Sequence, residues 1–298
     1  MKKITALRRK YLIGCAYPIS IKSISGDASP QHEGDLTDIQ HSHDFSELVI
    51  ITEGYGIHWI DGDDYPVTAG DIFAIHGKTA HYFKKRHNLA MFNVMFDARR
   101  LDGYLKKLQE IAGYNALFLL EPAYRRRHKF KSRLHISRHA LSYVETVVKR
   151  MSDELHKQKP GYDTMLLSFF LELLVFLSRE YSMVEIPQVK SLFRIGNIIG
   201  ELEKQYKRNW CLDEIARLAC MSKSNLLAIF GEATGYSPIE YLIRIRLQKA
   251  AEMLIATPLT ISEIAPECGF NDSNYLTRQF CRVYKLSPRE FRKNSPRI

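Results

Sequence analysis

Apolar positions divide the chain into a β-rich first part and a helical second part. Between residues 39 and 96, short β-branched or aromatic runs such as 48–51 and 57–60 alternate with glycine-containing turns, and Asp61-Gly62 is a typical hairpin signal. Short strands at this spacing predict a small sandwich or barrel. After these strands the apolar positions follow helical spacing. For residues 117–122 the pattern predicts one more strand or a loop.

Two long helices are predicted next, over about 138–156 and 162–181, separated by the break Lys159-Pro160-Gly161. The second helix is strongly apolar, which indicates either core packing or a contact between two copies of the chain. The apolar positions in question are Leu166, Phe169, Phe170, Leu173, Leu174 and Leu177.

A linker is expected over 183–191, a segment that contains Pro187, and helices are expected to resume near Leu192. These boundaries predict a first domain over 1–182 and a helical second domain over 192–298. The predicted fold class is therefore α+β, with strands and flanking helices first and an all-α domain after them.

A motif in the helical part is written twice, about fifty residues apart. Glu214-Ile215-Ala216 recurs as Glu263-Ile264-Ala265, and Ser237-Pro238 recurs as Ser287-Pro288. The sequence pattern of each copy predicts a short helix, a tight turn and a second helix that ends before Ser-Pro. A fixed period means that one supersecondary unit is used twice, and this unit follows the helix-turn-helix plan.

The two units are expected at about 212–232 and 260–282. Ser222 and Asp272 are predicted to cap the second helix of each unit, and Thr260 is predicted to open the second supporting helix in a capping box with Glu263. In helix-turn-helix proteins the second helix lies in the major groove, so its outward side chains would contact DNA. The expected DNA-binding residues are Lys223, Ser224, Leu227, Ala228, Ser273, Asn274, Thr277, Arg278 and Arg282, with Arg244 and Arg246 on the helix between the units.

The positive net charge of the chain is consistent with binding to DNA. The formal net charge is +10 and the pI about 9.3. Residues 190–298 hold 17 basic against 11 acidic side chains, whereas residues 1–189 hold 26 against 22, so the excess is densest around the repeat. Within it, Arg278 suits a guanine edge and Asn274 an adenine edge.

The five cysteines form an odd set without a C-x-x-C pair, which predicts reduced, mostly buried thiols in a cytoplasmic protein and argues against a zinc site. Neither an export signal nor a membrane span is expected. The basic run Arg8-Arg9-Lys10 interrupts the apolar start of the chain. The longest apolar stretch, 165–177, contains Glu172 and is too short to cross a bilayer.

Residues 190–298 resemble the DNA-binding domain of the AraC family of bacterial transcription regulators. The matching stretches are 240–247, 264–275 and 286–292. The resemblance implies a sequence-specific regulator of transcription, more often an activator, with RNA polymerase as a partner. The chain departs from the family at Ala228 and Gly231, where basic residues are common, and at Cys220, where the second unit has Gly269 in its turn.

His41-Ser42-His43, Glu47 and Gly54 follow the spacing H-x-H-x3-E-x6-G. On a single strand, residues 41, 43 and 47 would project from one face. Together with Gly70 and His81 this pattern resembles the two cupin motifs, which implies a small jelly-roll barrel. In cupin enzymes these positions bind a divalent metal, so His41, His43, Glu47 and His81 could bind metal, bind an effector directly, or be structural.

The order of barrel, helical pair, linker and double helix-turn-helix is similar to that of sugar-responsive members of the family. The runs 43–50, 70–76 and 267–275 look most like the L-rhamnose-responsive regulators. This resemblance implies a sugar effector such as L-rhamnose and a homodimer. Trp59 and Tyr82 could stack on a sugar face, which would place both with the histidines and Glu47 as effector-binding residues.

Two other functions would also account for parts of the pattern. A metal-dependent cupin enzyme with an appended helical domain would need a stoichiometric metal and turnover. A non-specific architectural DNA-binding protein would bind random and genomic sites equally, but paired recognition helices argue against it. The sequence therefore favours a regulator that is not an enzyme.

Overall fold

The computed structural model describes residues 4–6, 17–26, 37–123 and 134–294. It forms two compact units, Met1–Phe193 and Arg194–Ile298. The first unit contains all the described strands and a set of helices, and the second is helical. The predicted α+β class is confirmed. No helix among the described residues combines the length and the apolar character that crossing a bilayer demands.

The described residues of the first unit form eight strands joined in one hydrogen-bonded network. Six of the seven strand pairings are antiparallel, and the pairing of β1 with β3 is parallel. The strands are β1 (Ile4–Ala6), β2 (Ile19–Ile24), β3 (His41–His43), β4 (Ser46–Ile60), β5 (Asp63–Thr68), β6 (Asp71–His76), β7 (His81–Phe96) and β8 (Leu134–His135).

The two longest strands, β4 and β7, each contribute to two halves of the sheet. The first half of β4 pairs with β6 and with residues 91–96 of β7, which also pair with β2. The second half of β4 pairs with β5 and with residues 81–87 of β7. Side chains from both halves, including Val49 and Phe73 from one and Tyr65 and Phe83 from the other, share one buried core. The sheet therefore folds over on itself as a sandwich.

The bend in β4 requires Gly54. Its φ is +70°, and a Cβ placed there would lie 2.2 Å from the carbonyl oxygen of Asn88 on β7. The pairing register of β4 and β7 shifts between Ile51 and Ile57, which marks β-bulges around this point. Glycine is thus the residue that lets the two strands cross closely while both turn.

Helices follow the sheet in the first unit, and two of them match the predicted pair. These are α1 (Asp102–Leu108), α2 (Ala112–Tyr114), a π-helix (Asn115–Leu120), α3 (Arg138–Lys157), α4 (Tyr162–Ser182) and α5 (Pro187–Lys204), the last of which continues into the second unit. The bounds of α3 and α4 confirm the sequence prediction because the Pro-Gly break fixes their ends. The apolar positions of α4 are buried within the unit, so they are core residues rather than a surface for a second copy.

Two predictions about this region were wrong. The predicted strand or loop at residues 117–122 is largely a π-helix, which runs from Asn115 to Leu120 and buries almost every side chain. The sequence pattern did not identify it, because a helix that is apolar on all sides has no hydrophobic periodicity. Helices also resume five residues before Leu192, because α5 begins at Pro187. Proline is favoured at the first position of a helix, where no backbone donor is needed.

The second unit consists of α6 (Leu212–Leu218), α7 (Lys223–Thr234), α8 (Pro238–Ala256), α9 (Ile261–Glu267), α10 (Ser273–Tyr284) and α11 (Pro288–Asn294), together with the end of α5. Ser222 and Asp272 cap α7 and α10 as predicted, each accepting backbone hydrogen bonds at the helix start. Leu226 and Phe230 on α7, like Leu276 and Phe280 on α10, are fully buried. Each helix pair therefore packs an apolar seam and leaves the opposite face of its second helix outside.

Three capping boxes stabilise this unit. Glu240 accepts hydrogen bonds from the backbone N–H and hydroxyl of Ser237, and Glu290 does the same with Ser287. The predicted box of Thr260 and Glu263 is also present. Each serine or threonine in turn accepts from the backbone of its glutamate, so two helix-end donors are satisfied reciprocally.

The cysteines differ from expectation. Cys268 is buried and Cys281 is half-buried, but Cys211 and Cys220 are exposed, so the prediction of mostly buried thiols was wrong. Cys15 lies outside the described residues. Cys220 ends the turn of the first helix pair with a φ of +51°, where the second pair has Gly269 at +80°. The same turn geometry is thus used twice, and in the first copy a non-glycine residue adopts it.

A buried histidine–glutamate cluster and two exposed recognition helices

Four predicted residues of the sheet converge in its interior. His41 and His43 lie on β3, Glu47 lies at the start of β4, and His81 opens β7, where it pairs with His41. The expectation of one continuous strand from 41 to 47 was wrong, because the chain bends at residues 44–45. Both β3 and β4 pair with β7, which lies between them in the sheet, so the side chains come together from three separate strands.

The cluster is built around the Glu47 carboxylate. His43 Nε2 lies 3.2 Å and His81 Nε2 3.3 Å from Glu47 Oε2, and the side chains of His43, His81 and Glu47 are at most 5% exposed. His41 is also buried. A carboxylate removed from water needs compensating partners, since an isolated buried charge is strongly unfavourable.

Hydrogen bonds to backbone carbonyl groups fix the orientation of the His41 and His43 rings. His41 Nδ1 and His43 Nδ1 each lie 2.8 Å from a backbone carbonyl oxygen, that of Ile39 and that of Phe45. A carbonyl only accepts, so each Nδ1 carries the proton, and in the neutral ring Nε2 then presents a lone pair. For His43 this lone pair faces the oxygens of Glu47, and neither His43 Nε2 nor Glu47 Oε2 has a well-aligned hydrogen bond. With a neutral His43 the two acceptors need a donor or a cation that approaches both of them, whereas a protonated His43 would donate to Glu47 directly.

His58 belongs to the same cluster, although the sequence analysis did not select it. Its Nε2 lies 3.2 Å from His81 Nδ1, its side chain is fully buried, and its ring stacks on Phe83 with centroids 4.1 Å apart. The available signal was its position in the run 57–60, where it shares strand parity with the buried Ile60. A polar residue on the inward face of a strand is informative because burial is costly without a partner.

Trp59 and Tyr82 are not part of this cluster. They oppose each other across β4 and β7, and their ring centroids are 5.2 Å apart. Because neighbouring residues on a strand point to opposite faces, Trp59 points away from His58, and Tyr82 points away from His81. The prediction that both aromatics line one site with the histidines is therefore contradicted by the pairing.

The donor set of the cluster suits a divalent metal. One ligand atom from each of His41, Glu47 and His81 lies within 4.8 Å of the others, and all three residues are buried. Imidazole and carboxylate together are common ligands of zinc, iron and manganese. Metal-binding histidines usually donate their second ring nitrogen to a carbonyl, as His41 does to Ile39.

In the second unit, the outer faces of α7 and α10 carry nearly all the predicted DNA-binding residues. Seven of them are exposed and two are partly exposed: the exposed ones are Lys223, Ser224, Leu227, Ala228, Asn274, Arg278 and Arg282, and the partly exposed ones are Ser273 and Thr277. Asn225 and Tyr275 are exposed on the same helices and were not predicted. Lys223 forms an ion pair of 2.5 Å with Asp213, and Arg282 lies 3.8 Å from Glu240. Both pairs are exposed, so phosphates could displace them at little cost.

The two arginines of α8 differ from each other. Arg244 is exposed and stacks over Tyr236, with 3.9 Å between its guanidinium carbon and the ring centroid. Arg246 is only 9% exposed and donates from Nε to the carbonyl of Tyr206 at 2.7 Å and from Nη2 to that of Arg208 at 2.8 Å. Burial lowers the pKa of Arg246. The predicted DNA contact of Arg246 is contradicted, because its donors are used inside the unit.

Arg246 fixes the segment that follows α5 against the second helix-turn-helix unit. A Cβ added at Gly269, in the turn of that unit, would lie 2.8 Å from Lys207 Cα and 3.0 Å from Arg246 Nε. Lys207 also pairs with Glu267 at 2.7 Å, and this contact raises the pKa of Lys207. Residues 206–208 are therefore held beside the turn of α9 and α10 by one buried arginine and one exposed ion pair.

Both parts of the chain match known protein families. Residues 29–173 match the AraC-like ligand binding domain, and residues 215–294 match a helix-turn-helix domain. The HTH-type transcriptional activator RhaR of Escherichia coli strain K12 is 29% identical over 85% of this chain and 86% of its own length. The activator RhaS of Citrobacter koseri is 30% identical over 85% of this chain and 87% of its own.

Solved structures give a weaker likeness. A probable AraC family transcriptional regulator from Rhodopseudomonas palustris is 25% identical, with a TM-score of 0.32, and covers 34% of this chain and 94% of its own.

Proposed function

Because the chain belongs to the AraC family of transcription regulators, we propose that it activates transcription in response to a small polar effector bound at the histidine–glutamate cluster. The cluster comprises His41, His43, Glu47, His58 and His81. The observation that carries the proposal is the facing of His43 Nε2 and Glu47 Oε2, two buried acceptors without aligned donors. The chain is a DNA-binding regulator, and its relatives are transcriptional activators rather than enzymes.

The class of effector follows from the two acceptors, His43 Nε2 and Glu47 Oε2, that have no aligned donor. Hydroxyl groups of a sugar can approach this pair from the side and donate to the imidazole lone pair or to the carboxylate, and each can also accept from a protonated neighbour. We propose a sugar of the L-rhamnose type, in line with the likeness to the RhaR and RhaS activators. Trp59 and Tyr82 are left out of this site because they occupy the other face of the strands.

A divalent metal is the second candidate occupant of the cluster, and it would satisfy the same two acceptors. His41, Glu47 and His81 would hold it. When bound, such an ion would supply a Lewis-acid anchor for vicinal hydroxyls of the effector.

Titration calorimetry of L-rhamnose into the full-length protein tests the effector site. We expect Glu47→Gln to weaken L-rhamnose binding by roughly 10- to 100-fold, because hydrogen bonds to a charged group contribute about 1.5–3 kcal/mol. His87→Asn is the matched control, since His87 is exposed on β7 and stacks on Tyr55 outside the cluster. Equal L-rhamnose affinity in the two variants would show that the cluster does not bind the sugar.

Metal content is measured separately, by elemental analysis of purified protein before and after dialysis against EDTA. A stoichiometric metal that His41→Ala removes, with L-rhamnose binding lost in parallel, would assign the cluster to metal-assisted binding. Full sugar affinity in metal-free protein would assign it to direct hydrogen bonding.

The DNA partner is tested by selecting bound fragments from genomic DNA with the full chain. A specific operator, with protection over successive turns, is the expected result. Uniform recovery of all fragments would favour a non-specific architectural protein. RNA polymerase and a second copy of the chain are further proposed partners. The burial of the apolar face of α4 within one copy argues against that face as the surface for a second copy.

A further inference from the structure

A second pocket lies in the first unit, between the sheet and its helices. Its volume is about 320 Å³, near the lower end of the range found for small-molecule sites. Ser46, His76 and Thr79 form a polar end, and the wall is mostly apolar, with Phe96, Phe118 and Leu174 among its residues. A mostly apolar wall with a few grouped polar atoms is the usual composition of a ligand site.

This pocket is separate from the histidine–glutamate cluster. Ser46 pairs directly with His76 on β6 and with Phe96 on β7, so these three side chains share one face of the sheet. Glu47 is the next residue on β4, and its side chain must point to the opposite face. The two sites therefore lie on opposite faces of the sheet.

Hydrogen bonding at the polar end defines the ligand. His76 Nε2 lies 2.7 Å from the Phe118 carbonyl, which only accepts, so Nε2 carries the proton. In the neutral ring, His76 Nδ1 then accepts from the Ser46 hydroxyl at 2.9 Å. Thr79 likewise donates its hydroxyl proton to the His76 carbonyl at 2.9 Å. Both hydroxyl oxygens therefore present lone pairs to any further partner, and that partner has to donate.

The helical wall is held in place. Phe118 and Leu119 belong to the π-helix, a rare conformation that is frequent at functional sites. The adjoining α2 packs closely on α4, since a Cβ at Gly113 would lie 2.0 Å from the Ser178 carbonyl oxygen. The backbone thus fixes the pocket in advance, and a ligand would not have to organise it.

From this geometry we infer a second ligand site, for a small and mainly apolar molecule that carries one hydroxyl or N–H donor, such as a phenol or an indole. Carboxylates are disfavoured because they would place acceptors against the lone pairs of Ser46 and Thr79. The site is independent of the proposed sugar site and would give the regulator a second chemical input.

Ligand-observed NMR titrations of the full-length protein with p-cresol, toluene and 4-methylbenzoate test the ligand class. We expect p-cresol to bind about tenfold more tightly than toluene, the equivalent of one added hydrogen bond, and 4-methylbenzoate to bind most weakly. Thr79→Val should reduce the preference for p-cresol while toluene affinity stays the same, because it removes a hydroxyl without changing shape. Equal affinities for p-cresol and toluene in the wild type would overturn the inference.

The location is tested by filling the pocket. Ala98 lines it and is partly exposed, so Ala98→Phe should abolish p-cresol binding and leave the fold intact. Ala90→Phe is the matched control, since Ala90 is a partly exposed alanine of β7 and does not line the pocket. Unchanged p-cresol binding in Ala98→Phe, or equal loss in both variants, would refute the assignment. L-rhamnose binding should remain in both variants, so a failed sugar site would be recognised separately.

Discussion

At the scale of single residues, two arginines that look alike in the sequence have different roles. Arg278 is exposed on the outer face of α10. We predict that Arg278→Ala weakens binding to the cognate operator by about 1–3 kcal/mol at fixed salt, because a bidentate contact to a base is lost. Fluorescence anisotropy with cognate and random duplexes provides the measurement. An equal loss on random DNA would identify a phosphate contact instead.

Arg246 should behave in the opposite way. Replacing it by alanine leaves the carbonyls of Tyr206 and Arg208 without their charged donor. We expect Arg246→Ala to reduce the free energy of unfolding by about 2–3 kcal/mol, as for other hydrogen bonds from charged groups. Urea titration followed by circular dichroism measures this loss, with Arg244→Ala as the exposed control on the same helix. If the two variants unfold alike, Arg246 has no structural role.

At the scale of elements, the pattern of the sequence predicts what depends on local chemistry. The start of α7 follows from Ser222, and the end of α3 follows from the Pro160-Gly161 break. The sequence could not show that Arg244 is exposed and Arg246 buried on α8. The carbonyl groups that accept hydrogen bonds from Arg246 lie 38 and 40 residues away in the chain. The histidine–glutamate cluster was predicted by spacing, but His58 joins it only through strand pairing.

The capping boxes of the second unit predict a dependence of stability on pH. Hydrogen bonds from backbone and hydroxyl of the capping residue lower the pKa of Glu240, Glu263 and Glu290. Their contribution is therefore complete above the ordinary carboxyl pKa, about 4.3, and is lost as the pH falls through the lower pKa of the folded state. We expect the urea midpoint to fall between pH 5 and pH 3. A triple Glu→Gln variant keeps cap acceptors that do not titrate, so its midpoint should fall less; an equal fall would contradict the assignment.

The crossing of β4 and β7 gives a prediction with a control inside the same chain. Gly54 and Gly26 have φ values of +70° and +73°, but only at Gly54 would a Cβ meet another chain segment. Alanine costs both positions the same backbone strain, so their difference isolates the clash. We expect Gly54→Ala to be less stable than Gly26→Ala by about 1–3 kcal/mol or more, the usual cost of overpacking. Thermal unfolding of both variants decides it, and equal stability would mean that the strands move apart freely.

At the scale of the whole molecule, the two helix-turn-helix pairs belong to one compact unit, and the 19-residue helix α8 joins them. A helix of that length spans about 28 Å, close to one turn of DNA, and does not stretch. The distance between the two contacted DNA segments should therefore be fixed. We predict that an insertion of five base pairs between the two segments turns one of them to the far side of the duplex. The affinity of the protein for this operator should then equal its affinity when only one helix-turn-helix unit contacts DNA.

Insertion of ten base pairs separates that prediction from one based on flexible linkage. It restores the rotational phase but adds ~34 Å, more than a rigid α8 can bridge, so affinity should remain low. Electrophoretic mobility shifts with the three operators measure this. Disrupting the second contact in the native operator provides the reference for binding through a single unit. Recovery with ten base pairs would show that the units move independently, and it would contradict rigid phasing while leaving DNA recognition by each helix intact.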